Sequence, residues 1–169
     1  MPVLALAIAL VIALATAGCG ARGGGTVTPL AFPRGLAGLA IVDSIGGEPA
    51  RATLRRMHGK AVAPPDTRIG VYGHEALPTL VYVSRYPEPG LAVVETDSMV
   101  RRIGGGSGGF VARRTFRVSG LEVHELAGHG QAHYYFTRGA ELVWLSAPPD
   151  RAPTMLAQLL GLPPGAIAH

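Results

Sequence analysis

The segment Leu121–Leu145, LEVHELAGHGQAHYYFTRGAELVWL, decides the fold of this 169-residue chain. Its apolar and polar residues alternate with a period of two, which is typical of strands that are half-buried in a sheet. Two glycine-containing pairs, Gly128-His129 and Arg138-Gly139, interrupt the alternation and mark turns. The segment therefore predicts a three-stranded antiparallel meander. Its predicted strands are Leu121–Leu126, Gln131–Phe136 and Glu141–Leu145.

The alternation gives the meander two different faces. One face is apolar and can point towards a hydrophobic core: Leu121, Val123, Tyr134, Phe136, Val143 and Leu145. The other face mixes acidic, histidine and aromatic side chains: Glu122, His124, His133, Tyr135 and Trp144. Because side chains on one face of a sheet are neighbours, the second face is a candidate site.

A metal site is one interpretation of this second face. A two-residue turn at Gly128-His129 places His124 directly opposite His133. Opposed side chains have Cβ atoms about 4.5–5.5 Å apart, which allows two imidazoles to share a transition metal. Glu122 is the candidate third ligand. The alternative, which we favour, is a half-exposed face on which both histidines pack against aromatic rings, since two histidines without a fixed third ligand are common.

A helical metalloprotease site is excluded by spacing. The run His124-Glu125 followed by His129 invites comparison with H-E-x-x-H, in which both histidines lie four residues apart on one helical face. Here they are five residues apart, and the flanking residues alternate as strands do.

Further elements are predicted on both sides of the meander. A helix is expected over Asp150–Leu160, with Asp150 as its N-cap and Gly161 as its end. Another is expected over Glu48–His58. Further strands are predicted at Leu36–Val42, Ile69–Tyr72, Leu80–Tyr86, Leu91–Thr96 and Phe110–Val118. Because strands and helices do not alternate regularly, the pattern favours an α+β fold with a mostly antiparallel sheet and about two flanking helices.

A glycine-rich stretch precedes the Phe110–Val118 strand. Gly104, Gly106 and Gly109 satisfy the pattern G-x-G-x-x-G. A dinucleotide site needs that loop to open a helix, whereas alternating and β-branched residues follow here. We therefore interpret the stretch as a hairpin loop.

Composition argues against several classes of function. The net charge is +4, and the arginines that carry it occur singly or in pairs, without interleaved aromatic residues. No nucleic-acid partner is therefore expected. No serine lies in a G-x-S-x-G elbow between a predicted strand and a helix, and the only cysteine, Cys19, lies outside the predicted domain. A non-enzymatic protein is the expectation.

An apolar segment near the amino terminus indicates export. Val3–Ala17 is an uninterrupted apolar run with the length of a signal-peptide core. It leads into Thr16-Ala17-Gly18-Cys19, which resembles the lipobox of bacterial lipoprotein precursors over about the first 20 residues. The resemblance implies that residues 1–18 are removed and that Cys19 is acylated. Secretion after cleavage at Ala15-Thr16-Ala17, or retention of the segment as an anchor, are the alternatives.

These patterns divide the chain into three parts. Residues 1–18 are a signal peptide, 19–33 a lipidated cysteine with a flexible tether, and 34–169 a single α+β domain. We expect a lipid-anchored protein on the extracytoplasmic face of the cell membrane that binds a ligand or an envelope protein. The second hypothesis is a metal-binding carrier or metal-dependent enzyme that uses His124 and His133. No cofactor other than that transition metal is expected.

Overall fold

The structure, a computed structural model, describes residues 28–58, 64 and 66–167. The predicted signal peptide, Cys19 and the predicted tether up to residue 27 lie outside these residues. None of the helices in the described ranges combines the length and the apolar character that a membrane span requires.

Helices and strands are interspersed along the described chain. Its first half contains β1 (Gly35–Leu36), β2 (Leu39–Gly46), α1 (Gly47–His58), β3 (Asp66–Tyr72), β4 (Thr79–Arg85) and α2 (Pro89–Gly104). Its second half contains β5 (Phe110–Val118), β6 (Leu121–Gly128), β7 (Gln131–Arg138), β8 (Glu141–Ala147) and α3 (Ala152–Leu159). A short 3-10 turn over Ser107–Gly109 leads from α2 into β5.

The eight described strands form one antiparallel sheet in the order β1-β2-β3-β4-β8-β7-β6-β5. Two four-stranded meanders, β1 to β4 and β5 to β8, meet where β4 pairs with β8, for example at Val81 and Leu145. The connection through α2 carries the chain from β4, in the middle of the sheet, to β5 at its edge. The predicted α+β class, the mostly antiparallel sheet and the C-terminal meander are confirmed.

One side of the sheet packs against α3 and the segment before β1. The apolar face predicted for the meander lies on this side, and Val123, Phe136 and Val143 are fully buried there. Leu36, Tyr72, Met155 and Leu156 complete the interior from outside the meander. We call this the α3 side.

The opposite side carries the other two helices. Helix α1 covers β2 and β3, where Ala50 packs against Ile69 and Tyr82. Helix α2 covers β5, β7 and β8, where Met99 and Ile103 pack against the core formed around Tyr135. We call this the α1/α2 side, and the faces of the two helices leave a gap above β4 and β8.

The end of α3 agrees with the sequence, whereas its beginning does not. Gly161 has a φ of 69°, and the Leu162 N–H donates to the Ala157 carbonyl at 2.8 Å, so a left-handed glycine ends the helix as predicted. The helix begins at Ala152, and Arg151 occupies the N-cap position without a side-chain cap. The prediction of Asp150 as the N-cap was therefore wrong.

Two predicted strands were assigned incorrectly. Leu36–Val42 is interrupted by a turn at Ala37-Gly38, where φ is 45° and 84°, so it forms the β1–β2 hairpin instead of one strand. Leu91–Thr96 belongs to α2. Its β-branched residues favour a strand, but Ala92 and Thr96 are four residues apart and both buried, so packing of a helical face overrides that propensity.

The glycine-rich stretch connects a helix to a strand. Gly104 is the last residue of α2, and β5 begins at Phe110, so the stretch is not a hairpin loop. A bulge between Ala112 and Arg114 then shifts the alternation within β5. Phe110 therefore lies on the α1/α2 side and Phe116 on the α3 side, although the sequence pattern places them together.

The folded domain begins earlier than residue 34. Leu30 is only 6 % exposed, and its N–H donates to Oε2 of Glu141 at 2.9 Å. The Pro33 carbonyl accepts a hydrogen bond from the Tyr72 hydroxyl at 3.0 Å. Residues 28–33, which the sequence places in the tether, are thus part of the domain.

Candidate functional site

The turn between β6 and β7 determines which residues of the predicted site face each other. It consists of His129-Gly130, with φ values of 50° and 77°. Positive φ at both central residues defines a type I′ turn, in which glycine favours the second position. The turn lies one residue later than predicted, so His124 pairs with Tyr135 and His133 with Leu126. The predicted pairing of His124 with His133 was wrong, although both lie on the α1/α2 side.

The same shift occurs between β7 and β8, and it aligns aromatic rings across the sheet. Tyr135 pairs with Trp144, and Trp144 pairs with Tyr82 of β4. The Tyr135 ring stacks on His124 at 4.6 Å between centroids and on Trp144 at 5.3 Å. This row, His124-Tyr135-Trp144, is the aromatic ladder of the α1/α2 side.

Both ring nitrogens of His133 have partners in the protein. Its Nε2 lies 2.9 Å from the Gly128 carbonyl oxygen, to which it donates, and its Nδ1 accepts from the Trp144 indole at 3.3 Å. Burial lowers the pKa of His133, and His129 lowers it further, whereas the hydrogen bond to Gly128 raises it. His133 is therefore a neutral residue that holds Trp144 in place.

His124 has a different environment from His133. Its Nδ1 lies 3.0 Å from the Thr115 hydroxyl, and its Nε2 lies 3.7 Å from a carboxylate oxygen of Glu122. Burial lowers the pKa of His124, while the negative charges of Glu122 and Asp97 raise it. The structure thus brings Glu122 close to His124, whereas the hydrogen bonds of His133 go to other residues.

No three His, Cys, Asp or Glu side chains converge to hold a metal ion within the described residues. A metal bound by Glu122, His124 and His133 stays a prediction. Metal analysis of the wild type against a His124→Ala/His133→Ala double variant tests it, and equal metal content would contradict it.

A cleft opens between α1 and α2 on the same side of the sheet. Its volume is about 300 Å³. Tyr82 and Ser84 of β4, with Leu142 and Trp144 of β8, form its floor. The walls come mainly from the two helices and the start of β5: Leu54, Met57, His58, Glu95, Met99, Arg102, Ile103 and Phe110. Trp144 therefore belongs both to the aromatic ladder and to the cleft.

Ionisable side chains of both helices line the cleft. A guanidinium nitrogen of Arg102 lies 4.0 Å from a Glu95 carboxylate oxygen and donates to the Ser98 hydroxyl at 2.8 Å. Partial burial and the positive charge of Arg102 lower the pKa of His58, while Glu95 raises it. The cleft thus has both signs of charge and no large excess of either.

Uncharged hydroxyl groups complete the polar lining. Burial raises the pKa of Tyr82, and burial together with Glu95 raises the pKa of Tyr86 to about 12, so both phenols stay protonated at neutral pH. Ser84 is 7 % exposed, and its hydroxyl has no hydrogen-bond partner among the residues the structure describes. A mostly apolar cleft with a few such groups is the usual make-up of a small-molecule site.

The sequence analysis identified one residue of the cleft floor, Trp144, and missed the cleft itself. Trp144 was placed correctly on the mixed face, whereas Ser84 carried no recognisable motif. The available signal was the helical spacing of Ala92, Thr96, Met99 and Ile103, which marks the inner face of α2.

Comparisons with protein-family models, with curated proteins and with solved structures found no match to this chain.

Proposed function

We propose that this protein is a lipid-anchored binding module on the extracytoplasmic face of the membrane, and that its cleft binds a small, mainly apolar molecule. The cleft between α1 and α2 is the observation that carries the binding role. The apolar leader and the cysteine that follows it support the anchor. Neither part of the proposal involves chemistry on the ligand.

The dimensions and lining of the cleft suit such a ligand. A volume of about 300 Å³ corresponds to the smaller small-molecule sites of proteins. Leu54, Met99, Ile103, Leu142 and Phe110 offer apolar surface to a ligand. Removing apolar surface from water is favourable by roughly 25 cal/mol per Å², so the transfer of an apolar molecule from water into the cleft is favourable.

The floor of the cleft is preorganised. Both β4 and β8 have hydrogen-bonded neighbours on either side, so neither strand is an edge of the sheet. Trp144 is fixed by stacking on Tyr135 and by its hydrogen bond to His133. A rigid floor loses little conformational entropy on binding, which favours affinity for a small ligand.

The proposed anchor places the domain close to the bilayer. Residue 28, where the described domain begins, follows Cys19 by nine positions. A chain of that length spans at most about 30 Å when fully extended. Two acyl chains on Cys19 would make the attachment stable, whereas one chain binds only marginally.

Fluorescence of Trp144 tests the binding role, because it is the only tryptophan in the chain. We expect a saturable change in its emission when the protein is titrated with an octane-sized apolar molecule such as 2-methyl-1-octene. Met99→Phe, which adds bulk inside the cleft, is expected to abolish the change. Val94→Phe adds the same ring on the outer face of α2, where Val94 is 58 % exposed, and should behave as the wild type. Equal responses of the two variants would contradict the proposal.

Metabolic labelling tests the anchor. Cells that express the full chain are labelled with a fatty-acid analogue, and the protein is compared with a Cys19→Ala variant. Label is expected on the wild type only. Label that persists on Cys19→Ala would rule out this residue as the site of acylation.

A further inference from the structure

We infer that the ligand of the cleft carries one uncharged hydrogen-bond acceptor, such as a carbonyl group, and that the Ser84 hydroxyl donates to it. This inference rests on the proposed binding function and adds the chemical class of the ligand: an apolar body with a single neutral polar group.

Ser84 occupies the floor of the cleft. It lies in β4 between Thr67 of β3 and Leu142 of β8. The neighbouring Thr67 hydroxyl, which is fully buried, donates to the Pro64 carbonyl at 3.0 Å and is thereby satisfied. Ser84 is also more than nine-tenths buried, yet it has no partner in the described part of the chain. Among the described residues only Arg51 Nε is both fully enclosed and unpaired, so the Ser84 oxygen is open to the cleft, where a ligand acceptor can replace water as its partner.

The charges around the cleft favour a neutral polar group. The Arg102 guanidinium already faces the Glu95 carboxylate and donates to Ser98. On the floor, Tyr82 and Ser84 offer hydroxyl groups and no formal charge. A ligand anion at the floor would lose its hydration without gaining a counter-charge, which is costly.

The size of the cleft limits the length of the ligand. The cleft volume of about 300 Å³ is the volume that roughly ten water molecules occupy in the liquid. A molecule of about ten non-hydrogen atoms therefore fits. The methyl ketone 2-octanone is of this size, and 2-methyl-1-octene has the same shape with a methylene group in place of the carbonyl oxygen.

The experiment compares these two ligands on the wild type and on Ser84→Ala. The full chain is reconstituted in phosphatidylcholine vesicles, and Trp144 emission reports binding at each free ligand concentration. We expect Ser84→Ala to weaken binding of 2-octanone by about tenfold and to change binding of 2-methyl-1-octene by less than about twofold. Ser146→Ala is the matched control, because Ser146 is equally buried but donates to Gln131 and does not line the cleft. It should leave the ratio of the two affinities unchanged.

The outcomes separate this inference from the proposed function. If both ligands bind and Ser84→Ala weakens them equally, the inference fails while the binding role stands. Tighter binding of octanoate than of 2-octanone would also overturn it, because the site would then recognise a charge. If neither ligand gives a saturable change in the wild type, the binding role itself fails.

Discussion

Glu141 is a buried carboxylate with three partners. It is 2 % exposed, and its Oε1 accepts from Arg68 at 3.4 Å and from Arg85 at 3.2 Å. Its Oε2 accepts from the Leu30 N–H at 2.9 Å. A buried charge is tolerated only when partners replace its hydration. One residue thus joins β3, β4, β8 and the segment before β1.

Replacing this carboxylate should destabilise the domain. Glu141→Gln keeps the volume but removes the buried charge that Arg68 and Arg85 share, and leaves them the longer contacts with Asp66 at 3.8 and 3.9 Å. We expect a loss of about 2–3 kcal/mol in the free energy of unfolding, measured with a chemical denaturant, because both arginines still reach solvent. The exposed Glu88→Gln serves as control and should change stability by less than about 0.5 kcal/mol. A loss as small in Glu141→Gln would contradict this role.

His133 should remain neutral at mildly acidic pH. Burial holds its pKa below the ordinary value, and protonation of Nδ1 would remove the acceptor of the Trp144 indole. Because the unfolded chain then binds the proton more readily, the stability contributed by His133 is present above about pH 6.5 and declines as the pH falls below it. An NMR titration of the imidazole should give a pKa below 6.5, and His133→Gln should show a weaker loss of stability on acidification. A pKa above 6.5 would exclude this arrangement.

Among the helices and strands, alternation and turn residues correctly predicted those whose pattern lies within one short stretch of sequence. The meander, α1 and β5 follow from period, β-branched residues and flanking glycines. The strand register was predicted wrongly because Gly128 and Gly139 are both acceptable turn residues in the sequence. In the structure, the turn between β6 and β7 is His129-Gly130, and both of these residues adopt positive φ. A shift of one residue in the turn was enough to separate His124 from His133.

The glycines at the carboxyl ends of α3 and α2 give two predictions of opposite sign. Gly161→Ala places a Cβ at a φ of 69°, which should cost about 1 kcal/mol. Gly104 is the last residue of α2, has no positive φ, and a Cβ added there meets nothing within 4 Å. Gly104→Ala should be neutral or stabilising by a few tenths of a kcal/mol. Thermal unfolding of both variants checks the opposite signs, and equal effects would contradict the assignment of Gly161 as the helix end.

At the scale of the molecule, the predicted domain boundary can be tested directly. A chain that begins at residue 28 keeps Leu30 and its bond to Glu141, whereas one that begins at Arg34 loses both. Burial of a leucine side chain contributes about 1.5–3 kcal/mol, so the shorter chain should be less stable by at least about 2 kcal/mol. Denaturant unfolding of the two chains measures the difference. Equal stability would return the boundary to residue 34.

The cleft could not be predicted from the sequence because its parts are distant along the chain. Leu54, Ser84, Met99 and Trp144 come from four different elements, and each has an ordinary local pattern. Their meeting depends on the β4–β8 pairing and on α2 being a helix. The first is a long-range contact without a local signal, and the second was hidden by the valines at positions 93 and 94.

The pairing of β4 with β8 also determines when, during synthesis of the chain, the sheet can be completed. The strands β5 to β8 are joined by short turns, and β2 is joined to β3 through α1, but the seam at Val81 and Leu145 joins strands from opposite halves of the chain. Contacts between residues far apart in sequence carry a large loop-closure entropy and slow folding. The inner border of β4 thus stays open until the last strand has been synthesised. A nascent chain that ends before Glu141 has neither the seam nor the buried carboxylate that fastens it.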